Sequence, residues 1–178
     1  MGRKAMVMDQ AAISRALARI THEIIERNRG AQDLCLLGIL RKGVPLAQTL
    51  GENIRRFEGI EVPLGVLDVT PYRDDLKPEQ KSALPDESRI PCPLQDKTVL
   101  IVDDVLYTGR TARAAIESVF SIGRPKAVQL VVLVDRGHRE LPIRPDYVGK
   151  NIPTAKSEVI AVLTEPIDGE SGVYICDG

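Results

Sequence analysis

The segment Val99–Thr111 constrains the fold of this chain more than any other part of the sequence. It opens with four consecutive aliphatic residues, a run typical of a β-strand buried on both faces. Two carboxylates, Asp103 and Asp104, follow where that strand is expected to end. A turn of small residues then leads into a segment, 112–120, with the apolar spacing of a helix. This order predicts a strand–turn–helix unit, the building block of a parallel sheet covered by helices.

The rest of the chain supports the same fold class. Asp9 is predicted to cap a first helix that ends near Asn28, and Pro45 to open a second helix that ends before Gly59. Further strands are predicted at 34–40, 62–69, 127–134 and 159–163, with a shorter one around Val148. We therefore expect one α/β domain over residues 1–178, with a mostly parallel, twisted sheet flanked by helices.

Composition excludes several classes of protein. With 178 residues, 43% hydrophobic and 28% charged, the chain is expected to be a soluble globular domain. It has no apolar run near the ~20 residues of a membrane span, so no membrane contact is expected. The three cysteines are far apart in sequence and the two histidines are isolated, which favours reduced thiols in a cytoplasmic protein and disfavours a zinc site. A net charge of −1 leaves only local patches to attract nucleic acid.

A long loop-like stretch is predicted at about 71–96, where prolines alternate with charged residues. Structureless stretches of this length in a compact domain are usually lids or disordered connectors. A lid would exclude water from a site beneath it. Within it, Arg73 is a candidate to reach the leaving group of a reaction.

The turn after the acidic pair has the chemistry of a sugar-phosphate site. Free N–H groups at a helix start favour a phosphate, and Gly109 permits close approach of the backbone. Carboxylates nearby accept hydrogen bonds from vicinal hydroxyls or hold hydrated Mg²⁺. The run resembles the ribose-phosphate signature of type I phosphoribosyltransferases, which bind phosphoribosyl pyrophosphate (PRPP). The predicted PRPP and UMP contacts here are Asp103, Asp104, Val105, Leu106, Tyr107, Thr108, Gly109, Arg110 and Thr111.

Two more groups are predicted to lie at the same edge of the sheet, because ligands of such sheets bind beyond the carboxyl ends of the strands. Arg41 and Lys42 directly follow a predicted strand and could seat pyrophosphate. The alternative is an ordinary basic helix start. Val134 and Arg136, at the end of another strand, are candidates for recognising the base.

Longer runs resemble one bacterial family, the bifunctional pyrimidine operon attenuation regulators and uracil phosphoribosyltransferases. Tyr72–Leu76 is one of these runs, and the most specific of them are Leu133–Arg144 and Gly149–Pro153. The resemblance implies a glycosyltransferase that converts uracil and PRPP to UMP and pyrophosphate with Mg²⁺. Asp103, Asp104 and Arg73 would serve catalysis, and the two aspartates would hold the metal through water or ligand.

The same resemblance implies a second activity. Family members bind the leader mRNA of pyrimidine operons when UMP or UTP is present, promote transcription termination, and form homodimers or larger homo-oligomers. The positions that match RNA-binding positions of the family are Arg19, His22, Arg27, Arg139, Arg144 and Lys150. A solvated, charged helix face is the alternative for the first three of these residues.

Three departures from the family pattern keep other functions open. Lys42 stands where arginine is usual and lacks its bidentate fork. Pro71 replaces a leucine ahead of Tyr72, and Ala18 replaces a threonine beside Arg19. The alternatives are a nucleotide-sensing RNA-binding regulator with little catalysis, and a phosphoribosyltransferase for a purine base without RNA function.

Overall fold

A five-stranded parallel sheet with strand order β3-β2-β4-β5-β6 forms the centre of the molecule. The structure is a computed structural model that describes residues 2–82 and 86–178. The strands are β1 Arg3–Asp9, β2 Leu34–Ile39, β3 Leu64–Leu67, β4 Thr98–Leu106, β5 Ala127–Asp135, β6 Tyr147–Asn151, β7 Glu158–Leu163 and β8 Gly172–Asp177. The helices are α1 Gln10–Asn28, α2 Gly43–Glu58, α3 Pro78–Ser82, α4 Arg110–Ile122 and α5 Glu165–Asp168, with a 3₁₀ turn at Thr70–Tyr72.

Helices cover both faces of this sheet, as predicted. On one face, α1 and α2 bury their apolar stripes against alternate residues of β2, β4 and β5. On the other face, α4 contributes three alanines and Val119 to a second core with Val99 and Ile101. The central strands are thus buried on both sides, which accounts for their continuous aliphatic sequences.

A small antiparallel sheet of order β1-β8-β7 was not predicted from the sequence. The strand predicted at 159–163 was expected to complete the parallel sheet; this placement is wrong, because that strand is β7 and pairs with β8 instead. Five of the seven residues of β1 are exposed, and the strand carries two basic residues, so its sequence lacks a buried-strand pattern. It pairs with β8, some 170 positions away, in a register that runs from Arg3 opposite Cys176 to Asp9 opposite Gly172. The predicted mostly parallel sheet is confirmed, and this sheet is added to it.

The first helix agrees closely with its prediction. Asp9 caps it, because the carboxylate accepts the N–H of Ala12 at 2.7 Å, and it ends at Asn28. No helix in the described parts of the chain combines the length and apolarity needed to cross a bilayer.

Two local predictions need correction. The acidic pair does not follow the end of its strand: β4 continues through Asp103 and Asp104 to Leu106, because its pairing with β5 extends to Asp135. The stretch 71–96 is also not wholly irregular. It contains the end of the 3₁₀ turn and α3, and Arg89 exchanges two main-chain hydrogen bonds with Val66. Residues 83–85, with Pro85, lie outside the described residues.

Candidate functional site

The loop after β2 and the end of β4 lie against each other at the carboxyl edge of the parallel sheet. Gly43, the first residue of α2, makes this possible, because a Cβ there would overlap the carbonyl oxygen of Val102 and approach Cα of Asp103 at 3.4 Å. The basic residues Arg41 and Lys42, which form the basic loop with Gly43, are therefore next to the acidic pair. The sequence placed both groups at one edge, and the structure brings them together.

The two carboxylates of the acidic pair are only partly satisfied by the protein. Oδ1 of Asp103 accepts the N–H of Asp104 at 2.9 Å, and Oδ1 of Asp104 accepts the N–H of Val105 at 2.8 Å. Burial, and then the charge of Asp104, raise the pKa of Asp103 well above its usual range. A cation, or hydroxyl donors brought by a ligand, stabilises the charged form of two adjacent carboxylates of this kind.

The phosphate turn, Tyr107–Thr111, opens α4 with its amides directed away from the helix. Gly109 adopts a left-handed conformation (φ 94°) at the N-cap, and as a glycine it has no side chain to cap the helix. The hydroxyl of Thr108 accepts the N–H of Arg110 at 3.3 Å. A cavity of about 100 Å³ lies beside this turn and is lined by Asp103, Thr108 and Thr111 among others. Asp103 of the acidic pair and the phosphate turn thus share one concave space, and Asp104 is the next residue along β4.

Arg110 holds the turn to two other segments. Its guanidinium donates to Asp74 at 2.6 Å and to Glu140 at 2.7 Å. A second arginine of the same helix, Arg113, donates to the carbonyl oxygen of Tyr72 at 2.6 Å. The start of the 71–96 stretch therefore rests on α4, beside the cavity. These partners of Arg110 and Arg113 were not predicted, because the sequence around a charged residue does not indicate which distant group it will contact.

Arg73 lies on this stretch but does not reach the acidic pair in the structure. It forms a two-point ion pair with Asp75, at 2.9 Å and 2.5 Å, and is half exposed. This pairing lowers the pKa of Asp75. Its predicted catalytic role requires a movement of the 71–96 stretch toward the sheet edge.

The end of β5 forms the other side of the site. The side chain of Val134 is buried in the core, so only its main chain is available to a base. Arg136 is also buried, and its guanidinium lies 4.0 Å from the ring centroid of Tyr107. The same guanidinium donates to Thr154 Oγ1 and to the carbonyl oxygens of Ala155 and Glu158. These contacts fix Tyr107, part of the phosphate turn, against the connection into the antiparallel sheet.

A cleft of about 520 Å³ lies beyond the ends of β5 and β6. Its lining is basic on balance and includes Arg136, His138, Arg139 and Arg144. Arg139 is held by Asp135 at 2.5 Å and by the carbonyl oxygen of Tyr107 at 2.8 Å. Two of the predicted RNA contacts, Arg139 and Arg144, are thus neighbours of the predicted base site.

Three other predicted RNA contacts gather around the edge strand β6. Arg19 donates to the carbonyl oxygens of Val148 and Gly149 at 3.1 Å and 2.6 Å, and Arg27 pairs with Asp146 at 2.9 Å. Lys150 donates to the carbonyl oxygen of Val7 at 3.0 Å. His22 lies apart from them: it is exposed, and its ring stacks on Phe57 of α2 with the centroids 4.3 Å apart.

The acidic pair suits a metal that is shared with a substrate. Within residues 2–82 and 86–178, no three His, Cys, Asp or Glu side chains are grouped so as to hold a metal ion. Mg²⁺ in phosphate-binding sites is typically held by one or two carboxylates together with substrate oxygens and water. The two aspartates, with a raised pKa on one of them, fit that donor set.

Comparison with known proteins agrees with this geometry. Residues 5–166 match the model of the phosphoribosyl transferase domain family. The chain is 56% identical to bifunctional protein PyrR of Acetivibrio thermocellus over 174 residues (98% of this chain and 95% of the relative). It is 55% identical to bifunctional protein PyrR of Brevibacillus brevis over 165 residues (93% and 92%). A hypoxanthine phosphoribosyltransferase of Trypanosoma cruzi superposes with a TM-score of 0.74 at 18% identity (98% of this chain and 97% of the other), which shows a shared fold.

Proposed function

This chain belongs to the phosphoribosyl transferase family, among its bifunctional PyrR proteins, and from that premise we propose two activities. The chain converts uracil and PRPP to UMP and pyrophosphate. It also binds pyrimidine-operon leader mRNA under the control of a uridine nucleotide. The observation that carries the catalytic half is the cavity that Asp103 of the acidic pair shares with the phosphate turn, with the basic loop beside it.

The ribose and its 5′-phosphate occupy neighbouring parts of this site. The phosphate lies in the phosphate turn, where main-chain amides at the start of α4 donate to it. The 2′ and 3′ hydroxyls donate to the carboxylates of Asp103 and Asp104. The pyrophosphate lies toward Arg41 and Lys42, the nearest cations of the basic loop.

The acidic pair stabilises the reaction electrostatically. As the base nitrogen approaches C1′ and the bond to pyrophosphate lengthens, positive charge develops on the sugar ring. Carboxylates fixed in a partly buried site stabilise that charge more than they would in water, and they need not move to do so. Mg²⁺, when bound, neutralises charge on the departing pyrophosphate.

The 71–96 stretch and Arg136 enclose and position the substrates and take no direct part in making or breaking bonds. Closure of the stretch over the cavity excludes water and protects the activated sugar from hydrolysis. The uracil ring lies beside the main chain at the end of β5, where Arg136 and Tyr107 form one wall. The main chain there offers the paired donors and acceptors that a pyrimidine edge requires.

The catalytic half is tested with Asp104→Asn, assayed for UMP formation from uracil and PRPP with Mg²⁺. Turnover is expected to fall about 10²-fold, a typical loss when one electrostatic group of a transition state is removed. Asp33→Asn, an exposed carboxylate at the opposite edge of the same sheet, is the matched control and keeps wild-type turnover. Wild-type kinetics in Asp104→Asn, or a purine base reacting where uracil does not, would contradict the proposal.

The RNA half is supported by the cations around β6 and the neighbouring cleft. Arg19, Arg27 and Lys150 come from α1 and β6, and Arg139 and Arg144 from the loop that joins β5 to β6. The side chains of Arg19 and Arg27 are about half exposed, so their guanidinium groups can still reach phosphates or stack on bases of an RNA loop. Since Arg139 and Arg144 also line the cleft beside the base site, a bound nucleotide can influence this surface.

Filter binding of a pyrimidine-operon leader RNA at several salt concentrations tests this half. Arg19→Gln is expected to weaken binding and to reduce the salt slope by about one, as the loss of one phosphate contact does. Arg124→Gln, an exposed arginine after α4 on the other side of the sheet, is the control and leaves both unchanged. Equal affinity of Arg19→Gln and wild type across salt would refute the assignment of this surface.

A further inference from the structure

Lys42 of the basic loop is already paired with a carboxylate from the antiparallel sheet. Its ammonium donates to Oδ2 of Asp168, the last residue of α5. The side chains of both residues are about three-quarters buried, so water screens this ion pair only in part. Lys42 and Asp168 are far apart in sequence: Lys42 lies in the loop after β2 of the parallel sheet, and Asp168 lies between β7 and β8 of the antiparallel sheet.

Asp168 is held firmly on its own side. The same Oδ2 accepts the N–H of Thr164, the buried N-cap residue of α5, at 2.8 Å. The hydrogen bond from Lys42, followed by that from Thr164, lowers the pKa of Asp168, so the carboxylate is charged at neutral pH. A fixed, charged acceptor next to the basic loop neutralises one of its two cations.

We infer that Asp168 is a positioning residue that competes with pyrophosphate for the ammonium group of Lys42, and thereby limits how tightly the site holds PRPP and pyrophosphate. This inference rests on the proposed function, which places the pyrophosphate at the basic loop. An incoming pyrophosphoryl group meets a neutral Lys42–Asp168 pair and must share or displace the carboxylate. When the product leaves, Asp168 takes its place on Lys42.

The competition also joins the two sheets of the molecule. While Lys42 contacts Asp168, the loop after β2 is tied to the connection between β7 and β8. When pyrophosphate takes Lys42, that tie is loosened. Occupation of the pyrophosphate subsite is therefore transmitted to the antiparallel sheet through a single ion pair.

Isothermal titration with pyrophosphate and Mg²⁺, which needs no turnover, tests the inference directly. Asp168→Asn keeps an oxygen that accepts the Thr164 N–H but removes the charge facing Lys42. The dissociation constant for pyrophosphate is expected to fall about 2- to 5-fold, the scale of one partly screened charge. The KM for PRPP is expected to fall in parallel, whereas kcat stays equal or declines because the product leaves more slowly.

Glu170→Gln is the matched control. Glu170 lies in the same connection between β7 and β8, but its carboxylate pairs with Arg3 at 2.5 Å rather than with Lys42. Its removal is expected to leave pyrophosphate affinity and the KM for PRPP unchanged. An equal gain in affinity in both variants would mean that net charge alone is responsible and would overturn the inference.

Lys42→Ala separates this inference from the proposed function. If Lys42→Ala does not weaken pyrophosphate binding, the placement of pyrophosphate at the basic loop is wrong. If it does weaken binding while Asp168→Asn leaves it unchanged or weaker, only the competition is refuted. In the double variant of Lys42→Ala and Asp168→Asn, the gain in pyrophosphate affinity from Asp168→Asn is expected to vanish, because the ammonium group that this change frees is absent.

Discussion

Asp103 is a candidate ligand-binding residue whose charged carboxylate lowers the stability of the protein when no ligand is bound. Its carboxylate is held next to that of Asp104 inside β4, and both burial and the neighbouring charge raise its pKa. Its Oδ1 accepts the N–H of Asp104 at 2.9 Å. Its charged form is therefore less favourable in the folded state than in the unfolded chain.

Asp103→Asn is accordingly expected to stabilise the free protein at alkaline pH. A carboxyl group whose pKa is raised by folding contributes stability below its unfolded pKa and loses it as the pH rises through its folded pKa. The amide keeps an acceptor for the Asp104 N–H and does not titrate. Urea denaturation should show the variant more stable than wild type by about 1 kcal/mol at pH 8, a usual scale for one substitution, and no more stable at pH 4.

Asp75→Asn provides a control of opposite sign. The pKa of Asp75 is lowered by its ion pair with Arg73, so removal of its charge is expected to give no gain in stability at pH 8. If Asp103→Asn gave the same dependence of stability on pH as this control, the destabilising effect of the Asp103 charge would be disproved.

At the scale of the element, the site depends on how closely α2 approaches β4. Gly43 opens that helix, and its α-carbon faces the carbonyl oxygen of Val102 with no room for a side chain. The basic loop is thereby pressed onto the strand that carries the acidic pair. Further along the same helix, Gly51 faces only the methyl groups of Leu64 and Leu36, at 3.4 Å and 3.6 Å.

Alanine at these two glycines should therefore have opposite effects. Gly43→Ala is expected to cost about 2–4 kcal/mol, because the new methyl group forces main chain apart, and to raise the KM for PRPP. Gly51→Ala is expected to stabilise by up to about 1 kcal/mol, because alanine favours a helix interior. Urea denaturation and steady-state kinetics measure both. Similar stabilities for the two variants would show that the close approach at Gly43 is unimportant.

At the scale of the molecule, Arg136 ties the parallel sheet to the antiparallel one. It follows the end of β5 and donates to two oxygens of the connection between β6 and β7 and to the carbonyl oxygen of Glu158, the first residue of β7. This connection leads into β7, which pairs with β8, which in turn pairs with β1. This buried guanidinium therefore helps to hold the small sheet in place relative to the site, together with the Lys42–Asp168 ion pair.

Arg136→Leu is expected to destabilise the protein by about 2–4 kcal/mol, since it removes three hydrogen bonds that a buried guanidinium donates. Hydrogen exchange should show the largest increase at the amides of β7. Arg124→Leu, an exposed arginine on the other side of the sheet, is the control and should change stability by less than about 0.5 kcal/mol. Uniform exchange in Arg136→Leu would indicate that the two sheets are held together elsewhere.

Much of the parallel half of the fold could be read from the sequence because its signals are local. The aliphatic run before Asp103, the cap at Asp9 and the turn at Gly109 each depend on neighbouring residues, and each lies where it was predicted. The predicted α/β fold class and the predicted family are confirmed as well. The roles of individual site residues stay predictions, to be tested by the variants above.

What only the tertiary structure decided is which distant groups meet. The pairing of β1 with β8, the hold of Arg110 on Asp74 and Glu140, and the contact of Lys42 with Asp168 all join segments that are remote in sequence. Periodicity and turn chemistry report the conformation of a few neighbouring residues, because they arise from local sterics and local burial. The partner of a charged side chain is chosen by packing of the whole chain, so no pattern around Lys42 could reveal Asp168.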